Sequence, residues 1–300
     1  MEYWFIINPR SGKKNKAGEI KNLIKQHFLH QKSHQYRLIF TEGPGHGRII
    51  AREAVSEGID YVVSVGGDGT MNEVAGGLVN SETIFGVIPT GSGNGFARSL
   101  GIPLDAGKAI SFILNSHPRS VDVGRIADDY FFGVAGVGFD ALIGARFQEF
   151  GHRGPLPYFY IGVKEYFKYQ FEEFRIISKE YTNSVRPLLI TIANSSQYGN
   201  GAVIAPGADL EDGLLDVCII EKIPFVEGLL KVGALFNNKI DSLSSYNRFM
   251  TTEVKIIRSG KNCLYHVDGE PKKGQAELTF KILPKALNVC SQKQEQGGVV

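Results

Sequence analysis

Cysteine is scarce. There are three in 300 residues, Cys218, Cys263 and Cys290, and no CxxC pair. That excludes a disulfide framework and a cysteine-based zinc site, and it fits a reduced, cytosolic compartment. Excess charge of either sign is also missing: 33 Lys and Arg against 31 Asp and Glu leave +2. A duplex-binding protein carries a basic excess or stripe, so nucleic acid is not an expected partner. Long apolar runs are absent too. The longest uncharged stretch, 187–208, is interrupted by Asn194, Ser195, Ser196, Gln197 and Asn200 and cannot form a transmembrane helix. The first residues have no basic n-region and reach Asn8-Pro9 quickly, so they read as a strand and not as a signal peptide. No internal repeat or low-complexity segment is found.

What remains is ordinary, with one exception. Hydrophobic residues make up 43% and charged residues 21%, as in a soluble globular chain, and the length suggests two domains. Glycine is the outlier, at 36 residues. Nine of these fall between Gly66 and Gly95. Such density marks backbone that takes positive φ or approaches something closely.

The apolar spacing alternates through the first third. Strands are expected at 3–8, 35–41, 61–65 and 84–89, and helices at 17–31, 47–58, 70–79, 94–100 and 105–114. This rhythm indicates parallel βαβ units. From about residue 120 short strands dominate: 121–126, 130–137, 174–178, 188–193, 202–205, 214–221, 253–257, 264–267, 277–283 and 287–290. Helices are expected at 139–150, 158–171 and 226–237. The reading is α/β followed by all-β with a helical insertion. The domains are expected at 1–122 and 123–290, with a flexible tail at 291–300.

Three glycine-rich turns follow strands in the first half. The first holds Asn8, Arg10, Gly12 and Lys13, which suit an anion, although the spacing is not that of a Walker A loop. The second is Gly66-Gly67-Asp68-Gly69-Thr70, continuing into Met71, Asn72 and Glu73. A strand feeding a helix through glycines aims N–H groups and the positive helix end at one point. Asp68 makes sense there if Mg²⁺ sits between it and a polyphosphate. The plainer alternative is a structural turn with Asp68 as helix cap. The third turn runs through Thr90, Gly91, Ser92, Gly93, Asn94 and Gly95. Three such turns at strand carboxyl ends would line one crevice of a doubly wound sheet. None of them has the GxGxxG dinucleotide spacing.

In the second half, Asp268 and Glu270 flank Gly269. They could converge on one proton as a general base, or they could mark an Asp-Gly hairpin turn. Asp209, Glu211, Asp212 and Asp216 form an acidic stretch around Leu214, suited to a cation or simply to solvent. The aromatic run from Tyr158 to Phe171 is core by default. With Arg153, Lys164 and Lys168 it could also meet acidic lipid headgroups.

Together these motifs resemble the diacylglycerol kinase catalytic-domain family, in its soluble bacterial lipid kinase branch, related to sphingosine and ceramide kinases. The residues that carry the likeness are Gly66–Thr70 with Asn72-Glu73-Val74, Pro89–Asn94 with Phe96-Ala97-Arg98, Asp212–Val217, and Val267–Glu270. Gly-Gly-Asp-Gly-Thr alone also occurs in NAD kinases and phosphofructokinases; the ordered set is more specific. The resemblance implies a phosphofructokinase- or NAD-kinase-like α/β domain, then a β-sandwich-like domain, with ATP and Mg²⁺ as cofactors. It implies that Thr41, the segment from Gly67 to Glu73, and Thr90 contact ATP, and that Asp68 positions Mg²⁺. It makes Glu270 the proton acceptor, with Asp268 as alternative or partner. It gives a structural Mg²⁺ to Asp209, Asp212 and Leu214. The expected function is transfer of the γ-phosphoryl of ATP to a diacylglycerol-like hydroxyl by a cytoplasmic, membrane-peripheral enzyme. A homodimer is left open. The rivals are a kinase of a soluble acceptor such as NAD, and a nucleotide- or lipid-binding protein without catalysis. One departure stands out: Gly95 occupies a position where many relatives have Asp.

Overall fold

The computed structural model describes residues 1–12, 16–29, 31, 33–150, 155–258 and 263–292; for 148–150, 155–159 and 263 it describes the backbone only. The chain divides into two compact units. One comprises Met1–Val121 and Lys285–Val300, the other Asp122–Pro284.

The first unit runs β1 (Glu2–Ile7), α1 (Lys16–Phe28), β2 (Gln35–Phe40), α2 (His46–Ser56), β3 (Tyr61–Gly66), α3 (Asp68–Leu78), β4 (Ile84–Pro89), α4 (Gly95–Ser99) and α5 (Ala106–Leu114), and then enters β5 (His117–Ile126). β1 to β4 form a parallel sheet in the order β2-β1-β3-β4. Tyr3–Ile7 and Tyr61–Gly66 are buried throughout, as parallel strands covered on both faces must be. Each fully buried Ile or Phe contributes roughly 1.5–3 kcal/mol, so this apolar sheet dominates the unit's stability. Asp105 caps α5, its carboxylate accepting from the Lys108 amide at 2.9 Å. The chain goes from β1 to β2 on one side and returns to β3 on the other. The loops therefore part at the carboxyl ends of β1 and β3, where a doubly wound sheet opens a crevice.

The second unit holds β6 (Asp129–Phe131), β7 (Val134–Gly138), α6 (Phe139–Phe150), α7 (Pro155–Tyr166), β8 (Phe174–Ile177), β9 (Thr182–Val185), β10 (Pro187–Ala193), β11 (Leu215–Glu221), α8 (Phe225–Lys231), α9 (Gly233–Phe236), β12 (Tyr246–Thr251), β13 (Glu253–Arg258), β14 (Cys263–Val267), β15 (Glu270–Gly274) and the start of β16 (Glu277–Ser291). One antiparallel sheet has the order β12-β11-β10-β7-β14-β15. β16, β13, β8 and β9 form the other layer. Ile190, Ile192, Val217 and Val267 of the first share a core with Phe174, Ile176, Val254, Ile256 and Phe280 of the second. This is a β-sandwich. The distal end of β16 belongs to the first unit, where Val289 lies beside Phe85 of β4.

Several elements depart from the sequence reading. The expected strand at 202–205 is irregular, with only an isolated bridge between Gln197 and Val203. The expected strand at 130–137 breaks at Phe132-Gly133, because the amides there turn toward a carboxylate described below. The two strands at 277–283 and 287–290 are one. The helix at 226–237 is two short helices, and the one at 158–171 begins at Pro155 and ends at Tyr166. β9, β12 and β15 were not anticipated. All three are terminal strands of their sheets, where polar, Lys-, Pro- and Gly-containing sequence is favoured and apolar alternation fades. Among the described residues no helix is long and apolar enough to cross a membrane.

Candidate functional site: three braced glycine turns and an Asp-Gly-Glu hairpin

In the first unit the three glycine turns are tied to one another. Asn8 follows β1; its Nδ2 donates to Thr70 Oγ1 at 2.9 Å, and its Oδ1 accepts from the Arg10 amide at 2.9 Å. Ser11 and Thr90 hydroxyls meet at 2.7 Å. The Thr90 amide donates to the Gly66 carbonyl at 2.8 Å. Asn94, at φ 50°, closes its own turn: Nδ2 donates to the Gly91 carbonyl and Oδ1 accepts from the Gly91 amide. Two glycines are dictated by these approaches. A Cβ on Gly91 would lie 2.8 Å from Gly67 Cα, and one on Gly66 would lie 2.4 Å from Thr70 Cβ. At Gly91 backbone passes backbone, and at Gly66 it passes the Thr70 side chain.

Asp68 opens α3, and its carboxylate reaches across to α4. Oδ2 accepts from the Asn94 amide at 2.9 Å and Oδ1 from the Gly95 amide at 3.0 Å. Burial raises its pKa, and the amides of Asn94 and Gly95, its own amide and the Arg98 charge partly counter that. Its carboxylate thus holds the third turn in place as well as meeting the first amide of α3. Gly95 supplies one of the two amides, so at this departure from the family pattern the backbone is what meets Asp68. Glu73 is also engaged: its two oxygens accept from the amides of Gly45 (2.7 Å) and Gly47 (3.1 Å), at the start of α2. Negative charge beside those amides favours the helix. Sequence reasoning did not connect Glu73 with 45–47; nothing local signals a contact between two helices.

Thr41 follows β2, buried, its amide donating to the Ile7 carbonyl. Arg10 and Ser92 are exposed, and Gly69 is half-buried. Met71 and Asn72 have buried side chains in α3. Lys13 lies outside the described residues.

In the second unit, Asp268 (φ 48°) and Gly269 (φ 84°) are the two central residues of the β14–β15 hairpin, in which Val267 pairs with Glu270. Two left-handed residues make a type I′ turn, which Asp-Gly favours. The Asp268 carboxylate accepts three amides: Gly133 (2.7 Å) and Val134 (3.1 Å) on Oδ1, and Phe132 (3.0 Å) on Oδ2. Glu270, next after the turn, is exposed. Beneath the hairpin lies a buried polar group without a local sequence signal. His266 Nε2 and Asp140 Oδ2 are 3.1 Å apart, Thr191 and Tyr198 hydroxyls approach the same oxygen at 3.4 Å, and the Gly269 amide donates to His266 Nδ1 at 3.4 Å.

Asp209, Asp212 and Leu214 sit on the loop before β11. Asp209 accepts from the Glu211 amide and Asp212 from the Leu214 amide. Buried Asp122 accepts from the Gly213 amide at 2.6 Å. Burial raises the Asp212 pKa, the Leu214 amide opposes that, and the charges of Asp209 and Asp122 raise it further. Like-charged oxygens gathered this way suit a hard cation. Among the described residues no three His, Cys, Asp or Glu side chains form a metal cage, so a cation here would draw on these carboxylates, the Leu214 carbonyl and water. Asp216 is committed elsewhere, to Arg248 Nε at 2.7 Å.

Known proteins place this arrangement. Residues 2–126 match the diacylglycerol kinase catalytic domain, and residues 133–291 match the YegS C-terminal NAD kinase beta sandwich-like domain. A Chromohalobacter salexigens protein named "Probable lipid kinase YegS-like" is 35% identical over 72% of this chain and 70% of its own. A Pseudomonas aeruginosa protein of the same name is 31% identical over 82% of this chain and 81% of its own. A crystal structure of a diacylglycerol kinase from Bacillus anthracis superposes with a TM-score of 0.75 at 17% identity, covering 97% of both chains, a likeness of fold. The chain belongs to the family built from a diacylglycerol kinase catalytic domain and a YegS-type β-sandwich domain, the YegS-like lipid kinases.

Proposed function

We propose that the protein transfers the γ-phosphoryl group of ATP to the hydroxyl of a diacylglycerol-like lipid, acting from the cytoplasm at a membrane surface. The observation that supports this best is the mutual bracing of the three glycine turns. Asn8–Thr70, Ser11–Thr90, Gly67–Gly91 and Asp68–Asn94 tie the carboxyl ends of β1, β3 and β4 into one preformed frame on which a polyphosphate can be held. Phosphoryl transfer asks mainly for such positioning and charge neutralisation.

In this reading Arg10 and Lys13 add cationic charge, while Thr41, the turn from Gly66 to Thr70 and the turn from Thr90 to Asn94 seat the nucleotide. Mg²⁺, if bound near Asp68, would neutralise phosphate charge. The lipid hydroxyl oxygen bonds to the γ-phosphorus, the bond from that phosphorus to the bridging β-oxygen breaks, and ADP leaves. The hydroxyl proton goes to Glu270. Glu270 suits that role better than Asp268, because the three amides that Asp268 accepts commit its carboxylate to holding the turn. Met71 and Glu73 serve the nucleotide through the backbone of α3 and through the brace to α2. Asp209, Asp212 and the Leu214 carbonyl would hold a second, structural cation, with water completing its shell.

The test is a panel of diacylglycerol, phosphatidylglycerol, ceramide and sphingoid bases, with NAD as a soluble arm, each incubated with γ-labelled ATP and Mg²⁺. Label in one of the lipids is expected. Label in NAD alone, or nucleotide binding without turnover on any acceptor, refutes the reading.

A further inference from the structure

α8 and α9 bury none of their residues. Leu230 is 80% exposed and Val226 67%, with Leu229 also exposed between them. Positions 226, 229 and 230 share one helical face. The opposite side of α8 packs down: a Cβ on Gly228 would meet Ile223 Cδ1 at 3.3 Å, and Ile223 is buried. A second segment joins the apolar face. Phe167, just past α7 and 70% exposed, has its ring 4.8 Å from that of Phe225, and Phe225 is 5.3 Å from Tyr166. The Tyr166 hydroxyl donates to the Ile223 carbonyl, which fastens the two segments. α9 adds Phe236, 58% exposed. An exposed apolar cluster of this kind on a folded domain marks a place of interaction.

Charge selects the occupant. Glu227 is paired with Lys231 at 2.5 Å and Glu165 with Arg146 at 3.7 Å. Lys222, three residues before Phe225, and Lys164 and Lys168, on either side of Phe167 in the chain, are exposed, with Lys222 Nζ 4.8 Å from the Phe171 ring centroid; the exposed carboxylate of Glu221, next to Lys222, accepts from Asn247 Nδ2. Long lysine stems lie along apolar surface and raise their ammonium groups to its rim. An apolar face edged by cations matches acyl chains beneath anionic headgroups. Self-association through the same patch is the competing occupant, and the experiment below separates it from a bilayer.

We propose that the face of α8, joined by Phe167 and Phe236, docks the protein on an anionic lipid bilayer. The choice of a bilayer as partner rests on the lipid-kinase reading above. None of these residues belongs to the nucleotide turns or to the Asp-Gly-Glu hairpin, so docking and chemistry can be separated by mutation. Leu230→Glu and Val226→Glu place charge on exposed positions and leave the interior untouched. Lys222→Glu reverses one rim charge.

The experiment is co-sedimentation with vesicles of phosphatidylglycerol mixed into phosphatidylcholine, and with pure phosphatidylcholine. Wild type is expected to favour the anionic vesicles. Leu230→Glu should lower its partition coefficient by about tenfold or more, and Lys222→Glu should remove much of the anionic preference. Melting curves of both variants should match wild type. Undiminished vesicle binding by Leu230→Glu and Val226→Glu overturns the proposal, as does a wild type that ignores vesicles. A wild-type dimer in sedimentation equilibrium that Leu230→Glu makes monomeric, without vesicle binding, assigns the face to self-association and also overturns it. The underlying reading fails separately: if the variants lose vesicle binding but wild type phosphorylates no lipid, the docking surface stands and the lipid-kinase assignment falls.

Discussion

Asp268 and Glu270 are two residues apart, and the structure gives them different work. Replacing Asp268 by Ala strips three amides of their acceptor, those of Phe132, Gly133 and Val134. Each orphaned, partly buried donor costs about 1–1.5 kcal/mol, so the loss is roughly 3–5 kcal/mol. Ala at φ 48° adds about 1 kcal/mol, because left-handed backbone suits Asp and Asn better. Asp268→Asn is milder. Its oxygen can keep Gly133 and Val134, but its NH₂ would face the Phe132 N–H, at a cost of about 1–2 kcal/mol. Glu270→Gln touches an exposed side chain and should leave stability within about 0.5 kcal/mol, while losing roughly 10²–10⁴-fold in turnover if Glu270 accepts the proton. The assay is urea unfolding followed by far-UV circular dichroism, alongside turnover on the accepted lipid. Trp4, the single tryptophan, sits in β1 of the first unit, so its fluorescence reports on the wrong part of the chain. The reasoning is refuted if Asp268→Asn unfolds as wild type does yet loses turnover as Glu270→Gln does. That would make Asp268 the base and the three amides mere neighbours.

Three further outcomes follow from the same geometry. Glu73→Ala should destabilise by about 1–2 kcal/mol in urea unfolding monitored by Trp4 fluorescence, because two amides at the start of α2 lose their acceptor; unchanged unfolding would show the brace to be idle. Gly91→Ala should push the third turn off the second, since its Cβ would lie 2.8 Å from Gly67 Cα, and should weaken ATP binding by about tenfold in titration calorimetry. Cys218 and Cys290 are fully buried, and burial pushes both thiols up to about 12. At pH 8 both are therefore overwhelmingly thiol, the form that does not react. Iodoacetamide mapped by peptide mass spectrometry should leave both unmodified in the native protein and label both in denaturant; rapid native labelling would contradict their burial.

How much of this was legible in the sequence can be traced residue by residue. The parallel strands of the first unit are apolar on both faces and separated by helices of 3.6-residue period, so their order along the chain and their class could be read directly. The three glycine turns were legible as turns and as a set. So was the Asp-Gly dipeptide, with both its meanings open. The edge strands were not, because β15 reads Glu-Pro-Lys-Lys-Gly, and a strand with one free edge needs no apolar alternation.

Local spacing by itself determined which residues form strands, helices and glycine turns, because periodicity and backbone permissiveness act over a few residues. Only the tertiary structure decided what the carboxylates do. Asp68 could have served the start of its own helix alone, but it also holds the amides of Asn94 and Gly95, 26 and 27 positions away. Asp268 reaches the amides of 132–134. The end of β16 pairs with β4 across some two hundred residues of sequence. Hydrogen-bond partners at such separations are chosen by the folded path of the chain, which no short window of sequence contains.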